Sequence, residues 1–212
     1  MMVFDNMKPE NPYLGIVKEI IRKGIELEKS KLKLKDNENL KNQQLVEKFN
    51  RITRDKEYEK SAIGVCKEHV KEGSAQREDI YFYLLDDEST RVFYVEGKRL
   101  PMPNQSKKNI LKEEYVKGTG NKRTGGIERY KLGLHGEPNR LKSNGIIAYI
   151  EKKIISEWQG IINQSIRTQY PNDTDLIPVI GRINEFSSSH EHEITKKAII
   201  MHHFWIDITK NK

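Results

Sequence analysis

The chain holds one cysteine, Cys66, which excludes an internal disulfide and a cysteine-built zinc cage and points to a reducing, cytoplasmic setting. No stretch approaches the roughly 18 apolar residues that a membrane helix needs. The N-terminal MMVFDNMKPENPYLG has no basic segment followed by an apolar one, so no secretory leader is expected. No internal repeat or low-complexity tract breaks the sequence up. Aromatic residues are few but, at 8%, too many for a wholly disordered chain.

What is present is charge. Of 212 residues, 33% are charged, with a net charge of +7. Such a balance serves solubility, or a polyanionic partner such as nucleic acid, whose phosphates reward clustered Lys and Arg. The distribution favours the second. Between Ser106 and Lys131 lie Lys107, Lys108, Lys112, Lys117, Lys122, Arg123, Arg129 and Lys131, against three glutamates. Of these, Lys122, Arg123, Arg129 and Lys131 are the expected contacts to backbone phosphates.

Pro9 and Pro12 mark residues 1–14 as an arm, leaving 15–212 as one domain. Helical periodicity starts at Gly15 with Ile16, Ile20 and Leu27, and Val17, Ile21 and Ile25 beside them. A second helix, about 38–54, follows Asp36-Asn37 as cap chemistry, with an apolar stripe of Leu45, Phe49 and Ile52. Projecting that stripe back a heptad places Glu38 on the inward face. There it either complements the helix dipole or joins an acidic site. Strands are then expected at 62–66, 79–85 and 91–98, with Asp86-Asp87-Glu88-Ser89 as a turn, making an antiparallel meander ended by Pro101 and Pro103.

Residues 106–117 fit a helix, and Gly118–Gly126 a flexible basic loop. A short helix from Gly125 toward Gly136, a buried strand at 145–150 and a core helix at 154–166 follow. The tail shows strand character at 178–183, 187–193 and 198–208, the last two forming a hairpin through Thr195-Lys196-Lys197. The order predicts an α/β (α+β) fold on a mixed central sheet.

The chemistry-bearing stretch is Asp79–Leu100. Alternate strand residues share a face, so Glu96 and Lys98 project together. If the flanking strands pair as a hairpin, Asp79 faces Glu96. Two carboxylates and an ammonium at one spot suit a hard divalent ion, with the Gly97 carbonyl as a further ligand. Lys98 could orient or help deprotonate an attacking water and offset charge on phosphorus. As an ordinary charged hairpin, the same three would be solvated surface groups.

The strings Arg77-Glu78-Asp79-Ile80 and Val95-Glu96-Gly97-Lys98-Arg99-Leu100 resemble the PD-(D/E)xK nuclease superfamily, the restriction-endonuclease-like proteins. The segments GGIERYK, LHG and GIIAYI are similar to the helix and fourth strand that follow the motif there. The resemblance covers about residues 38–150 and implies an αβββαβ core, flanked here by helices and extra C-terminal strands. It also implies a nuclease using Mg2+ (or Mn2+), with catalytic residues Asp79, Glu96 and Lys98 and Glu38 as the helical acid. The metal ligands would be Asp79, Glu96 and Gly97. DNA is the expected partner, in restriction or defence, and a homodimer or larger complex would suit cutting of both strands. The sequence departs from the pattern in having Glu78 rather than Pro before Asp79, and Gly97 where a Cys or apolar residue is usual. A non-catalytic nucleic-acid-binding subunit on the same fold is the alternative.

Three further features are read as structural. His190, His192, His202 and His203 could gather on a hairpin to bind zinc, but are expected to be ordinary surface or strand histidines. GTGNKRTGG lacks the Lys-Ser/Thr ending of a phosphate-binding loop. Trp158 and Trp205 read as core.

Overall fold

A computed structural model of the protein describes residues 11–70, 77–101, 114–118, 123–137 and 140–211. Three sequence expectations fall wholly or mainly outside these: the helix at 106–117, the centre of the Gly-rich loop with Lys122, and most of the N-terminal arm. Two helices come first, α1 (Leu14–Glu28) and α2 (Glu38–Ile52), followed by the meander β1 (Ile63–Val70), β2 (Arg77–Leu84) and β3 (Arg91–Leu100). The short α3 (Gly126–Lys131) precedes β4 (Ser143–Ile150) and α4 (Ile155–Gln169). Last come β5 (Ile177–Pro178), β6 (Glu185–Glu191) and β7 (Ala198–Asp207).

The seven strands form one mixed sheet in the order β1-β2-β3-β4-β7-β6-β5. The meander is antiparallel, β3 and β7 both run parallel to β4, and the β7-β6-β5 side is antiparallel again. The fold is therefore mixed α+β, with helices on both faces of the sheet. Among the described residues no helix is long and apolar enough to cross a membrane.

Each helix lies where its apolar stripe demands. Val17, Ile20 and Ile21 of α1, with Leu45, Phe49 and Ile52 of α2, pack on Phe82, Phe93, Val95, Ile147 and Phe204. On the opposite face Ile127 and Tyr130 of α3 and Trp158, Ile162 and Ile166 of α4 meet Tyr94, Ile146, Ala148, Met201 and Trp205. Both tryptophans are core, as their surroundings in the sequence suggested. The central β4 is covered on both sides, which is why GIIAYI is an unbroken apolar run rather than an alternating one.

Several boundaries differ from expectation. The first helix takes in Leu14, which the sequence placed in the arm. Pairing extends β1 to Val70, well beyond Cys66, and β3 to Leu100. The strand expected at 178–183 is only the pair Ile177–Pro178. Beyond it the Arg182 N–H turns back onto the Val179 carbonyl, and Gly181 and Asn184 take left-handed φ of 72° and 58°. Turn chemistry there overrides the β-propensity of the isoleucines. Similarly, α3 stops at Lys131 instead of running toward Gly136, since Gly133 and Gly136 both adopt positive φ.

Candidate active site

The site grows from a fork in the sheet. The β2–β3 ladder runs from Tyr83–Arg91 to Ile80–Val95 and ends there. β3 continues beyond it, bonded to β4 alone through Val95–Leu100. Its outer edge from residue 96 onward therefore lacks a neighbouring strand, and two carboxylates take that place. Asp79 Oδ2 accepts the Gly97 N–H at 2.7 Å, and Glu38 Oε2 accepts the Arg99 N–H at 3.1 Å. In a strand a residue's N–H and C=O turn to the same side, so the Gly97 carbonyl faces this fork too.

Glu96 and Lys98 project from the face of β3, one above the other. Lys98 Nζ is 2.7 Å from Glu96 Oε1. The same oxygen receives an Arg129 guanidinium N–H at 2.7 Å. The other oxygen, Oε2, lies 2.9 Å from His135 Nδ1, and among the described residues no aligned hydrogen-bond donor reaches it. Asp79, Glu96 and Lys98 thus lie at one end of the sheet, though Asp79 meets the Gly97 N–H and is not paired with Glu96, and α2 brings Glu38 to the same edge.

Gly97, on the other side of β3, has a different task. A Cβ there would stand 2.4 Å from Asn42 Oδ1 and 2.5 Å from its Nδ2. The first turns of α2 approach the strand so closely that no side chain fits between them. Asn42 is wholly buried and accepts the Tyr149 hydroxyl at 2.7 Å. This contact is the reason that position 97 is a glycine. The N-terminus of α2 is fixed further by its Asn37 cap, which accepts the Leu40 N–H at 2.9 Å. Beyond β3, Glu151 holds Arg99 through two bonds of 2.6 and 2.8 Å and takes Lys41 Nζ at 3.1 Å. Together these ties hold Glu38 against the fork.

On the opposite face α3 closes over Lys98. A Cβ on Gly126 would come within 3.3 Å of Lys98 Cε and 3.0 Å of the Tyr115 carbonyl. The buried Glu128 carboxylate accepts the N–H of Gly118 at 2.8 Å and of Gly125 at 3.3 Å, seating the helix start.

The charges are unevenly balanced. Burial pushes the Asp79 carboxyl well above the usual range, and the neighbouring Glu96 and Glu38 push it further against the pull of Lys98 and the Gly97 N–H. Glu38 is raised too, chiefly by burial. Burial also acts upward on Glu96, but Lys98, His135 and Arg129 outweigh it and hold that carboxyl far below the ordinary range. For Lys98, burial would favour the neutral amine, yet Glu96 and Glu38 keep it an ammonium with a raised pKa. Lys98 is therefore a charge-bearing donor and not a ready base.

Among the described residues no three acidic, histidine or cysteine side chains converge tightly enough to hold a metal by themselves. A magnesium-like ion does not need three, since it binds through one or two carboxylates and keeps several waters. Asp79, Glu96 and the Gly97 carbonyl form an all-oxygen set of that kind. The buried Glu96 Oε2 without an aligned donor and the poorly compensated Asp79 both fit a hard cation.

One of the expected phosphate contacts is overturned. Lys131 is only 4% exposed, with Nζ 2.6 Å from Asp173 Oδ2, because that side of α3 faces the tail. Arg129 is bonded to Glu96 while a quarter of its side chain stays exposed. Arg123 is exposed.

The reading of the histidines as surface or strand residues holds in its strand part for His190 in β6 and for His202 and His203 in β7. Its surface part falls, since all four are buried. His190 and His203 belong to a core relay. Asp173 Oδ2 meets His190 Nδ1 at 2.8 Å, and Ser188 Oγ bridges His190 Nε2 at 2.6 Å and His203 Nε2 at 2.8 Å. Tyr115 completes it, with its hydroxyl 2.9 Å from His203 Nδ1 and accepting the Trp205 indole N–H at 2.9 Å. Such a chain satisfies buried polar groups in series.

Sequence reasoning missed His135, the pairing of Arg129 with Glu96, and Asn42. In comparisons with known proteins, the chain matches no family model, no curated protein and no solved structure.

Proposed function

We propose that the protein is a metal-dependent nuclease that hydrolyses phosphodiester bonds in DNA, on a restriction-endonuclease-like core of α2, β1–β3, α3 and β4. One observation carries this reading: at the fork, Asp79 and Glu38 cap the free N–H groups of Gly97 and Arg99 while Glu96 and Lys98 lie 2.7 Å apart beside them. Carboxylates rarely occupy buried strand ends without a task, and pKa values driven apart within one cluster mark functional sites. Asp79, Glu96 and the Gly97 carbonyl would hold Mg2+ or Mn2+. Bound there, the ion would supply Lewis-acid activation of water and neutralise phosphate charge.

The chain's own residues supply the rest. The Lys98 ammonium, fixed by Glu96 and covered by Gly126, donates hydrogen bonds to the attacking water or a phosphate oxygen and stabilises charge as it develops. Glu38 holds the β3 edge straight and adds negative potential. Arg123 is positioned to meet backbone phosphate.

The test is cleavage of single- and double-stranded DNA by purified protein with Mg2+ or Mn2+, beside Lys98→Ala. Loss of one preorganised charged donor is expected to slow cleavage about 100-fold or more. Equal cleavage by both proteins, or none by either across substrates, would overturn the catalytic reading. A second reading is a non-catalytic nucleic-acid-binding subunit, favoured by the two cationic groups already on Glu96 Oε1. It predicts salt-dependent DNA retention with no cleavage under any metal.

A further inference from the structure

The partners of Glu96 differ in how free they are to leave it. Lys98 and His135 are buried with it, whereas 25% of the Arg129 side chain remains exposed. Lys98 and Arg129 share a single oxygen, Oε1, at 2.7 Å each, so two like charges compete for one acceptor. The other tie on the guanidinium is weak: Nε meets the carbonyl of the exposed Arg123 at only 3.4 Å. A guanidinium that keeps donors unused among the described residues, partly exposed and beside an exposed arginine, is suited to the two-pronged bond that phosphate accepts.

We propose that Arg129 is a stand-in cation: it holds Glu96 until a nucleic-acid phosphate draws the guanidinium outward, so that nucleic acid and a divalent ion bind with positive cooperativity. The proposal rests on the metal-site reading above and gives it an order of events. While Arg129 sits on Oε1, a dication binding Glu96 must approach a carboxylate that already holds two close positive groups. Once phosphate takes the guanidinium, a competitor and a repelling charge leave together. Linkage requires the converse, that an ion on Glu96 releases Arg129 toward phosphate and tightens nucleic-acid binding by the same factor. Arg129 is on this account a positioning residue, and its signature is a coupling between two affinities and not a rate alone.

The experiment measures Mn2+ affinity from the resonance of the free ion, for protein alone and with a short phosphorothioate duplex DNA, which keeps its charge while resisting hydrolysis. For the wild type, DNA is expected to tighten Mn2+ binding about tenfold or more, within the usual span of coupling between sites. Arg129→Gln, which removes the charge and leaves a shorter neutral amide, should bind Mn2+ more tightly in the absence of DNA and lose most of the DNA-induced gain. Arg129→Lys, charged but single-pronged, should show intermediate coupling. If the Gln variant does not fold by thermal unfolding, the Lys variant decides: wild-type coupling in it overturns the role of the two-pronged bond. Mn2+ binding by the wild type that is indifferent to DNA, or a folded Gln variant with unchanged affinity and coupling, overturns the stand-in role while the metal site stands. Absence of Mn2+ binding in either state overturns both this proposal and the metal-site reading.

Discussion

Replacing Gly97 with alanine tests the close approach on which the fork depends. The added methyl would lie 2.4 and 2.5 Å from the two polar atoms of Asn42, about one ångström inside ordinary contact. Asn42 cannot step aside, because it is wholly buried and its Oδ1 holds the Tyr149 hydroxyl. Overpacking of this kind costs about 1–3 kcal/mol. Alanine returns about 0.4–1 kcal/mol by restricting the unfolded chain at a backbone conformation that it tolerates. A net loss of about 1–2 kcal/mol is expected, read by urea denaturation, with a fall in melting temperature of about 2–4 °C per kcal/mol for a chain this size. Asn42→Ala alone should also destabilise, since it strands the buried Tyr149 hydroxyl at a cost of about 1–3 kcal/mol. The double variant makes the room that the new methyl needs, so it should be more stable than the sum of the single losses by about 1–2 kcal/mol. Additive losses, or an alanine variant as stable as the wild type, would refute the contact. The strain also bears on function. Pushing α2 away carries Glu38, one turn before Asn42, off the Arg99 N–H, and DNA cleavage should fall along with stability.

Two further predictions concern ionisation. Asp79 has a folded pKa raised above its unfolded value, so its contribution is favourable below the unfolded pKa and is lost as pH rises through the folded one; Asp79→Asn should therefore be more stable than wild type at pH 7.5 in metal-free buffer. That advantage should shrink toward pH 4, and a variant less stable at pH 7.5 would show that the charge is better compensated than the geometry indicates. His190, His202 and His203 behave oppositely, since burial lowers each, His202 to about 4. Their contribution is present above the unfolded value near 6.5 and is lost as pH falls toward the folded one. His202, with neither ring nitrogen partnered and its ring 6.1 Å from Phe93, is the cleanest probe. His202→Phe should flatten the fall in urea stability between pH 7 and 4, and an unchanged slope would show that this residue does not carry it.

The parts of the site that were legible in the sequence are those set by local geometry. The shared face of Glu96 and Lys98 follows from the period of a strand, and the nearness of Asp79 to that end of β3 follows from an antiparallel hairpin. Pairing stops at Ile80–Val95, however, and Asp79 meets the Gly97 N–H instead of facing Glu96. Arg129 and His135 arrive from a helix and loop laid over that face, and no periodicity relates them to Glu96. The basic block looked like a surface because charge counts along the chain carry no direction. Lys131 faces inward only because Asp173, 42 residues later, is folded beneath it. One signal was available and pointed correctly. Asn42 and Glu38 both continue the apolar stripe of Leu45, Phe49 and Ile52, and polar residues on such a stripe mark the turns of a helix that face something other than core. The buried histidines were misplaced for the opposite reason: their partners Ser188, Asp173 and Tyr115 look unremarkable until the sheet brings them together.

The arrangement of charge argues against a purely structural purpose for the cluster. Selection for stability alone would distribute the cations, setting Lys98 or Arg129 against Asp79 and Glu38, whose burial is poorly compensated. Instead both press on one oxygen of Glu96, and His135 stands against the other. Each placement costs stability: carboxylates at the fork only partly compensated by the Gly97 and Arg99 N–H groups and Lys98, and like charges crowded on the neighbouring residue. Natural chains keep such local conflicts mainly where function requires them. What relieves both at once is positive charge on the Asp79 side of Glu96 together with negative charge that draws Arg129 away. A divalent ion and a phosphate are the simplest pair with that effect. The uneven electrostatics of the free protein are therefore a ground for the proposed pairing of a divalent ion with nucleic-acid phosphate.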